Sequence, residues 1–216
     1  MDIINKIVQS LKHLQTDQLR SVFNGTGVIL HTNLGRAPLG SENIKRVTEI
    51  LSGYSNLEYD LKQGKRGKRQ TPVQKQLQVL TGAEDIAIVN NNAAAVYLCL
   101  KAFAKGAEAI VSRGELIEIG GSFRIPDIMN ESGTTMIEVG ATNRTRLSDY
   151  EQAITENTKV IFKAHQSNFY QEGFTEEVSI HALATLAKKH NIIFIYDLGC
   201  GQVKNHESLS FLDQPS

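Results

Sequence analysis

The chain has 216 residues, with 23 Lys and Arg against 23 Asp and Glu, 41% hydrophobic and 21% charged residues. That balance leaves no basic footprint for nucleic acid over the chain as a whole, and the length and apolar content suit an ordinary globular protein with one sizeable core. No apolar run approaches the ~20 residues needed to span a membrane. The start, "MDIINKIVQSLKHLQ", lacks the uninterrupted apolar stretch of a secretory signal. Cys99 and Cys200 stand far apart and read as reduced thiols of a cytoplasmic protein.

In chain order, Ile3, Ile4, Ile7, Val8, Leu11 and Leu14 recur at helical spacing and predict an amphipathic helix over 2–20. Residues 21–40 read as irregular and Gly-rich, and Ile44, Val47, Ile50 and Leu51 mark a second helix. A polar loop follows with five cations in eight residues, Lys62, Lys65, Arg66, Lys68 and Arg69, and then a helix near 72–81. From there short apolar runs alternate with helical patterns. The runs are 86–90, 108–112, 135–139, 159–164 and 192–197; the helical patterns lie near 92–105, 121–131, 148–156 and 179–190. Ser148 and Glu151 fit a capping box. Strands of about five residues alternating with helices of about ten predict an α/β fold, with a mostly parallel sheet covered on both faces. "IIFIY" is apolar throughout, as a central parallel strand should be.

In such sheets ligands bind beyond the carboxyl ends of the strands, and three polar clusters fall there. "NNNAAAV" begins where the 86–90 run ends and a helix starts. A helix N-terminus offers unpaired N–H groups and the positive end of its dipole. Asn91 or Asn92 can cap, and Ala93 and Ala94 let a phosphate approach the backbone; a capped turn with no ligand reads equally well from this stretch alone. Asp197 ends its run and leads into "LGCG". A strand-end carboxylate opposite a phosphate cradle suits pyridoxal phosphate chemistry, where it pairs with the ring nitrogen and keeps it protonated; a helix cap or salt-bridge partner is the alternative. "KAHQSNF" adds His165 and Asn168 at another strand end. In "NGTGVILHTNLGRAPLG", Arg36 is placed to offer a guanidinium fork to an anion. No Gly-x-Gly-x-x-Gly or Walker lysine is present, and no metal site is expected.

"NGTGVILHTNLGRAPL", "YSNLEYDL", "GAEDIAIVNNNAAAV", "VSRGELIEIGGSFRIPDIM", "EVGATNRTRLSDYEQAI" and "GFTEEVSIHAL" together resemble the bacterial selenocysteine synthases, the L-seryl-tRNA(Sec) selenium transferases. The resemblance is collinear from about residue 22 to the C-terminus. It implies the large domain of the type I, aspartate-aminotransferase-like, pyridoxal-phosphate-dependent fold over 22–216, in partial form, after an N-terminal helix over 1–21. It further implies conversion of seryl-tRNA(Sec) to selenocysteinyl-tRNA(Sec) with selenophosphate through an aminoacrylyl intermediate, and a homo-oligomer at full length. By the same likeness Asn91, Asn92, Ala93 and Ala94 form the phosphate cradle, Asp197 the pyridinium partner and Asn168 the contact to the ring hydroxyl. Arg36 would face the donor anion.

Several features depart from the family pattern; the C-terminal domain of the fold and the family's longer N-terminal region are expected to be absent from this chain. The family's Schiff-base lysine lies in a Gly-Asp-Lys-Leu-Leu-Gly-Gly-Pro-like segment without a counterpart before "FLDQPS", and Lys204 is not assigned that role. Cys200 stands where the family has Ser. The expectation is that this chain alone is inactive. The alternatives are a catalytically silent fragment and a paralogous lyase acting on a small amine without tRNA.

Overall fold

The computed structural model describes residues 2–15, 19–118, 124–167, 169–199 and 201. The chain forms two compact units, Met1–Arg66 and Gly67–Ser216.

In the first unit, α1 (Asp2–Gln15) is the expected amphipathic helix, ending within the predicted 2–20 span. Its apolar stripe of Ile3, Ile4, Ile7, Val8 and Leu11 is exposed. Helix α2 (Ser41–Leu51) follows. The polar segment read as a loop holds a small antiparallel hairpin, β1 (Tyr59–Asp60) with β2 (Lys65–Arg66). Its turn is local chemistry: the Asp60 carboxylate accepts the N–H groups of Lys62 (2.9 Å) and Gln63 (3.0 Å), a side-chain-closed turn.

The second unit carries the core. It opens with α3 (Thr71–Thr81), which has Pro72 in its first turn and Gly82 as a left-handed C-cap. Next come α4 (Asn92–Phe103), β3 (Glu108–Ser112), α5 (Ile125–Ser132), β4 (Thr135–Val139), α6 (Leu147–Ala153), β5 (Thr158–Ala164), α7 (Ile180–Lys189) and β6 (Ile193–Asp197). The four strands form one parallel sheet in the order β4-β3-β5-β6. This is the expected α/β architecture, and the period-two alternation of the strands explains its two covered faces. Ala109, Val111, Val160 and Phe162 pack with Val96 and Leu100 of α4 and with Ile125 and Met129 of α5. Ile110 and Ile161 turn the other way, onto Tyr150 of α6 and Leu183 and Leu186 of α7. Each such buried Leu, Ile or Phe contributes about 1.5–3 kcal/mol.

Several expectations are corrected. Residues 86–90 are not a strand. No ladder partner stands beside them among the described residues; instead the Gln70 side chain takes both backbone groups of Ile88, donating to its carbonyl (3.1 Å) and accepting its N–H (3.3 Å). The run "IIFIY", expected at the centre of the sheet, is the edge strand β6 among the described residues, and its side chains are only half-buried; the fully covered strands are β3 and β5. The helix of 121–131 begins at Ile125, because Arg124 sits in a short bridge with Glu118. Ser148 does not cap α6: the helix begins at Leu147, and the Asp149 carboxylate accepts the backbone N–H of Arg146 at 2.8 Å. The return bond of a capping box is impossible there, since arginine has no acceptor.

Candidate active site

The strands' carboxyl ends bring together residues far apart in sequence. Asn91 is the N-cap of α4, and its side chain accepts the Ala94 N–H at 2.8 Å. That frees Asn92 for a different task. Its amide donates to both carboxylate oxygens of Asp197, 2.9 Å to Oδ2 and 3.2 Å to Oδ1. The Gly199 N–H donates to the same Oδ1 at 2.9 Å. Gly199 has φ +60°, and a Cβ there would press on the Ser167 side chain at 3.1 Å, so glycine suits both the turn and the close approach. Asp197 is 7% exposed. Three of the roughly four acceptor positions of a carboxylate are used by these contacts; the remaining one lies on Oδ2, beside the first turn of α4.

The rim is tied at a second point. The His165 N–H donates to the Asp197 carbonyl at 2.9 Å, so the end of β5 grips the end of β6. Asn168 and Cys200 lie outside the described residues. A pocket of about 360 Å³ opens on the flank of the same α4 turn, lined by Asn91, Ala93, Ala94 and Tyr97 from α4 and by Arg124, Asp127, Ile128 and Glu131 from the α5 side. Neither Asn92 nor Asp197 lines it. The volume and the buried carboxylate therefore mark two sides of one helix turn.

Arg36 belongs to the first unit and is exposed. It follows a 3₁₀ turn, Thr32–Leu34, capped by His31, whose Nδ1 accepts the Asn33 N–H at 3.2 Å. The Arg36 N–H returns to the His31 carbonyl at 3.1 Å. Arg36 has φ +61°, a left-handed conformation that costs a residue with a side chain about 1–2 kcal/mol. Strain of this kind clusters where a side chain must be aimed.

One charged group inside the core escaped the sequence reading. Lys163, on β5, reaches Glu115 Oε1 at 2.8 Å; both side chains are under 10% exposed. It also reaches Glu177 Oε2 at 3.2 Å, at the surface. Burial pushes the Glu115 carboxyl up, and the charge of Lys163 opposes this without reversing it. For Lys163 burial pulls downward, but the charges of Glu115 and Glu177 outweigh it and hold the ammonium above its ordinary value. The Tyr150 hydroxyl nearby is raised far above its usual range, by burial first and then by the Glu115 charge. The available signal was a lysine in the last turnings of an apolar strand, "KVIFKA", a position where an unpaired charge would be costly.

The parallel α/β sheet with helices on both faces is that of the aminotransferase-like folds. Solved structures agree at the level of fold. D-glucosaminate-6-phosphate ammonia-lyase superposes with a TM-score of 0.67 at 20% identity, over 91% of this chain and 52% of that one. The Helicobacter pylori aminotransferase involved in the biosynthesis of pseudoaminic acid gives 0.55 at 21% identity, over 79% and 42%. Within that class the chain belongs to the L-seryl-tRNA selenium transferase family, whose model matches residues 22–216. It is 50% identical over 214 residues to the L-seryl-tRNA(Sec) selenium transferase of Aquifex aeolicus, covering 99% of this chain and 47% of that protein. It is 54% identical over 197 residues to that of Maridesulfovibrio salexigens, covering 91% and 42%. The chain thus spans about half the length of the curated relatives it matches. No helix among the described residues is long and apolar enough to cross a membrane.

Proposed function

We propose that this chain supplies the cofactor-holding face of a transferase that converts seryl-tRNA(Sec) to selenocysteinyl-tRNA(Sec) with selenophosphate, using pyridoxal phosphate. The observation that carries the reading is Asp197, buried at the end of β6 and bonded through both oxygens to Asn92. The residues present fit the cofactor. Asn92 and Ala93 present first-turn N–H groups of α4, where a phosphate is favoured by the helix dipole. Ala93 and Ala94 put no bulk over that turn. The acceptor position of Asp197 Oδ2 that its contacts with described residues leave over suits a protonated ring nitrogen.

When bound, pyridoxal phosphate supplies an electron sink for carbanion character at the substrate's α-carbon. The protein's part is to keep that sink effective. With the cofactor bound, Asp197 would hold a proton at the ring nitrogen, its carboxylate oriented by Asn92 and Gly199. Asn168 is assigned to the ring hydroxyl and Arg36 to the donor anion, both on family likeness. The Arg36 fork suits an oxyanion better than a lysine would. Assembly into a homo-oligomer and a place in the cytoplasm complete the reading. A lyase acting on a small amine rests on fold likeness alone, whereas identity near 50% runs along nearly the whole chain to the selenium transferases.

The test is binding of pyridoxine phosphate, which has the phosphate and ring nitrogen but no aldehyde to react with surface lysines. Asp197→Asn should weaken it about tenfold to a hundredfold, the usual weight of a hydrogen bond to a charged group. Equal dissociation constants in equilibrium dialysis would remove Asp197 from the site.

A further inference from the structure

We propose that Glu115 is a positioning residue for this site: its carboxylate replaces the missing end of strand β3 and holds the β5 terminus against Asp197. The inference rests on the cofactor-site reading above.

The sheet register shows the need. The β3–β5 pairing runs only to Val111 opposite Phe162. The β5–β6 pairing continues further, to Ala164 opposite Asp197. Beyond Phe162, β5 has a ladder neighbour on one side only. Successive N–H groups of a strand point to alternate sides. The His165 N–H goes to the Asp197 carbonyl, so the Ala164 N–H faces the side that β3 has vacated. Glu115 fills this gap from the 3₁₀ turn Arg113–Glu115 directly after β3. Its Oε2 accepts the Ala164 N–H at 3.2 Å while its Oε1 takes the Lys163 ammonium at 2.8 Å. The same turn receives Gln166, whose side-chain amide donates to the Gly114 carbonyl at 2.8 Å.

The contacts form one series. Glu115 fixes Ala164, the next residue His165 holds the Asp197 backbone, and Asp197 meets Asn92 on α4. Lys163 has a separate role: it neutralises a carboxylate that must lie in the core to reach the backbone. By strand alternation its side chain leaves β5 on the face opposite Ala164, the face of α6 and α7.

The acceptor and the ion pair can be separated. Glu115→Gln/Lys163→Met keeps an acceptor for Ala164 and removes both charges. Glu115→Met/Lys163→Met also removes both charges and keeps nearly the same volume, but has no acceptor. In the full chain the Gln variant should bind pyridoxine phosphate within about threefold of the unmodified chain, and the Met variant about tenfold more weakly, the scale of one hydrogen bond. Without any ligand, amide exchange at Ala164 and His165 should be faster in the Met variant only, with Ile110 and Ile161 unchanged. Equal binding and equal exchange in the two variants would overturn the role. Asp197→Asn, run alongside, separates the two failures. If it weakens binding while the two double variants behave alike, only the Glu115 role falls. If it binds like the unmodified chain, the site falls and this inference with it.

Discussion

Replacing Lys163 by Met tests whether the buried pair is a true ion pair. The structure sets the magnitude through a contrast on one ammonium. Glu115 lies 2.8 Å away with 5% of its side chain exposed, and Glu177 lies 3.2 Å away with 76% exposed. Removing the cation leaves Glu115 charged in the core, with the Ala164 N–H as its remaining described partner. Breaking a buried pair in this way costs about 3–5 kcal/mol. At about 2–4 °C per kcal/mol for a domain of this size, the midpoint should fall by roughly 6–20 °C. Glu177→Gln, which touches the same ammonium from solvent, should cost no more than about 0.5 kcal/mol. The Lys163→Met deficit should also depend on pH. Without its cation, Glu115 has a folded-state pKa raised still further above its unfolded value, so the penalty is present above the folded pKa and shrinks as pH falls toward the unfolded one. Adding Glu115→Gln to Lys163→Met removes the stranded charge and should recover most of the loss. Thermal melts followed by far-UV circular dichroism at about pH 8 and pH 5 decide it. A single variant melting within about 2 °C of the parent, or a double variant no better than the single, would refute the reasoning.

Gly140 has φ +70°, and a Cβ there would lie 2.8 Å from the Arg144 carbonyl oxygen and closer still to the Thr145 hydroxyl. Gly140→Ala should therefore cost more than the left-handed strain of about 1–2 kcal/mol alone, and should disturb the buried Ser112–Thr145 hydroxyl pair; a melt unchanged from the parent would contradict this. Glu176 accepts hydrogen bonds from Arg144, which hold its carboxyl below the ordinary range, with Arg146 adding to the effect. A depressed folded-state pKa gives stability that is present above the unfolded value of about 4.3 and is lost as pH falls through the folded one. The stability gap between the parent and Glu176→Gln should thus be open at neutral pH and close in acid; a gap independent of pH would count against it.

How much of this was legible in the sequence depends on whether the deciding contact is local. The runs 108–112, 135–139, 159–164 and 192–197 are strands to within a residue, because a short apolar run between helical patterns has few other places to go. The run 86–90 is also apolar and is not a strand, because a strand also needs a neighbour, and among the described residues Gln70 instead takes the backbone groups of Ile88 at its middle. The hairpin at 59–66 was missed for the opposite reason. Its strands have no apolar alternation, and the turn is made by one aspartate and by Gly64 at φ +62°. At the site, sequence gives positions at strand ends but not pairings. Asn92 and Asp197 are 105 residues apart, and Glu115 and Lys163 are 48 apart. For Asn92 and Asp197 the likeness gave places in one site but not the bond between them; for Glu115 and Lys163 only the polar character showed in advance.

The three consecutive asparagines show why residue type, more than polarity in general, is what the site requires. A cap at the start of α4 needs an acceptor for the Ala94 N–H, and Asn91 supplies its side-chain oxygen. Aspartate could do the same and would suit the helix dipole. One position further on the requirement reverses. Asn92 faces a carboxylate and must donate, which it does through its nitrogen to both oxygens of Asp197. An aspartate there would set a second carboxylate against the buried Asp197, and the like charges would repel where the amide now donates. An alanine would leave Asp197 with the Gly199 N–H as its remaining described donor. Asparagine can serve both positions because its amide carries an acceptor and a donor on one short side chain. Adjacent copies can therefore hold the helix with one end and orient the buried strand-end carboxylate with the other.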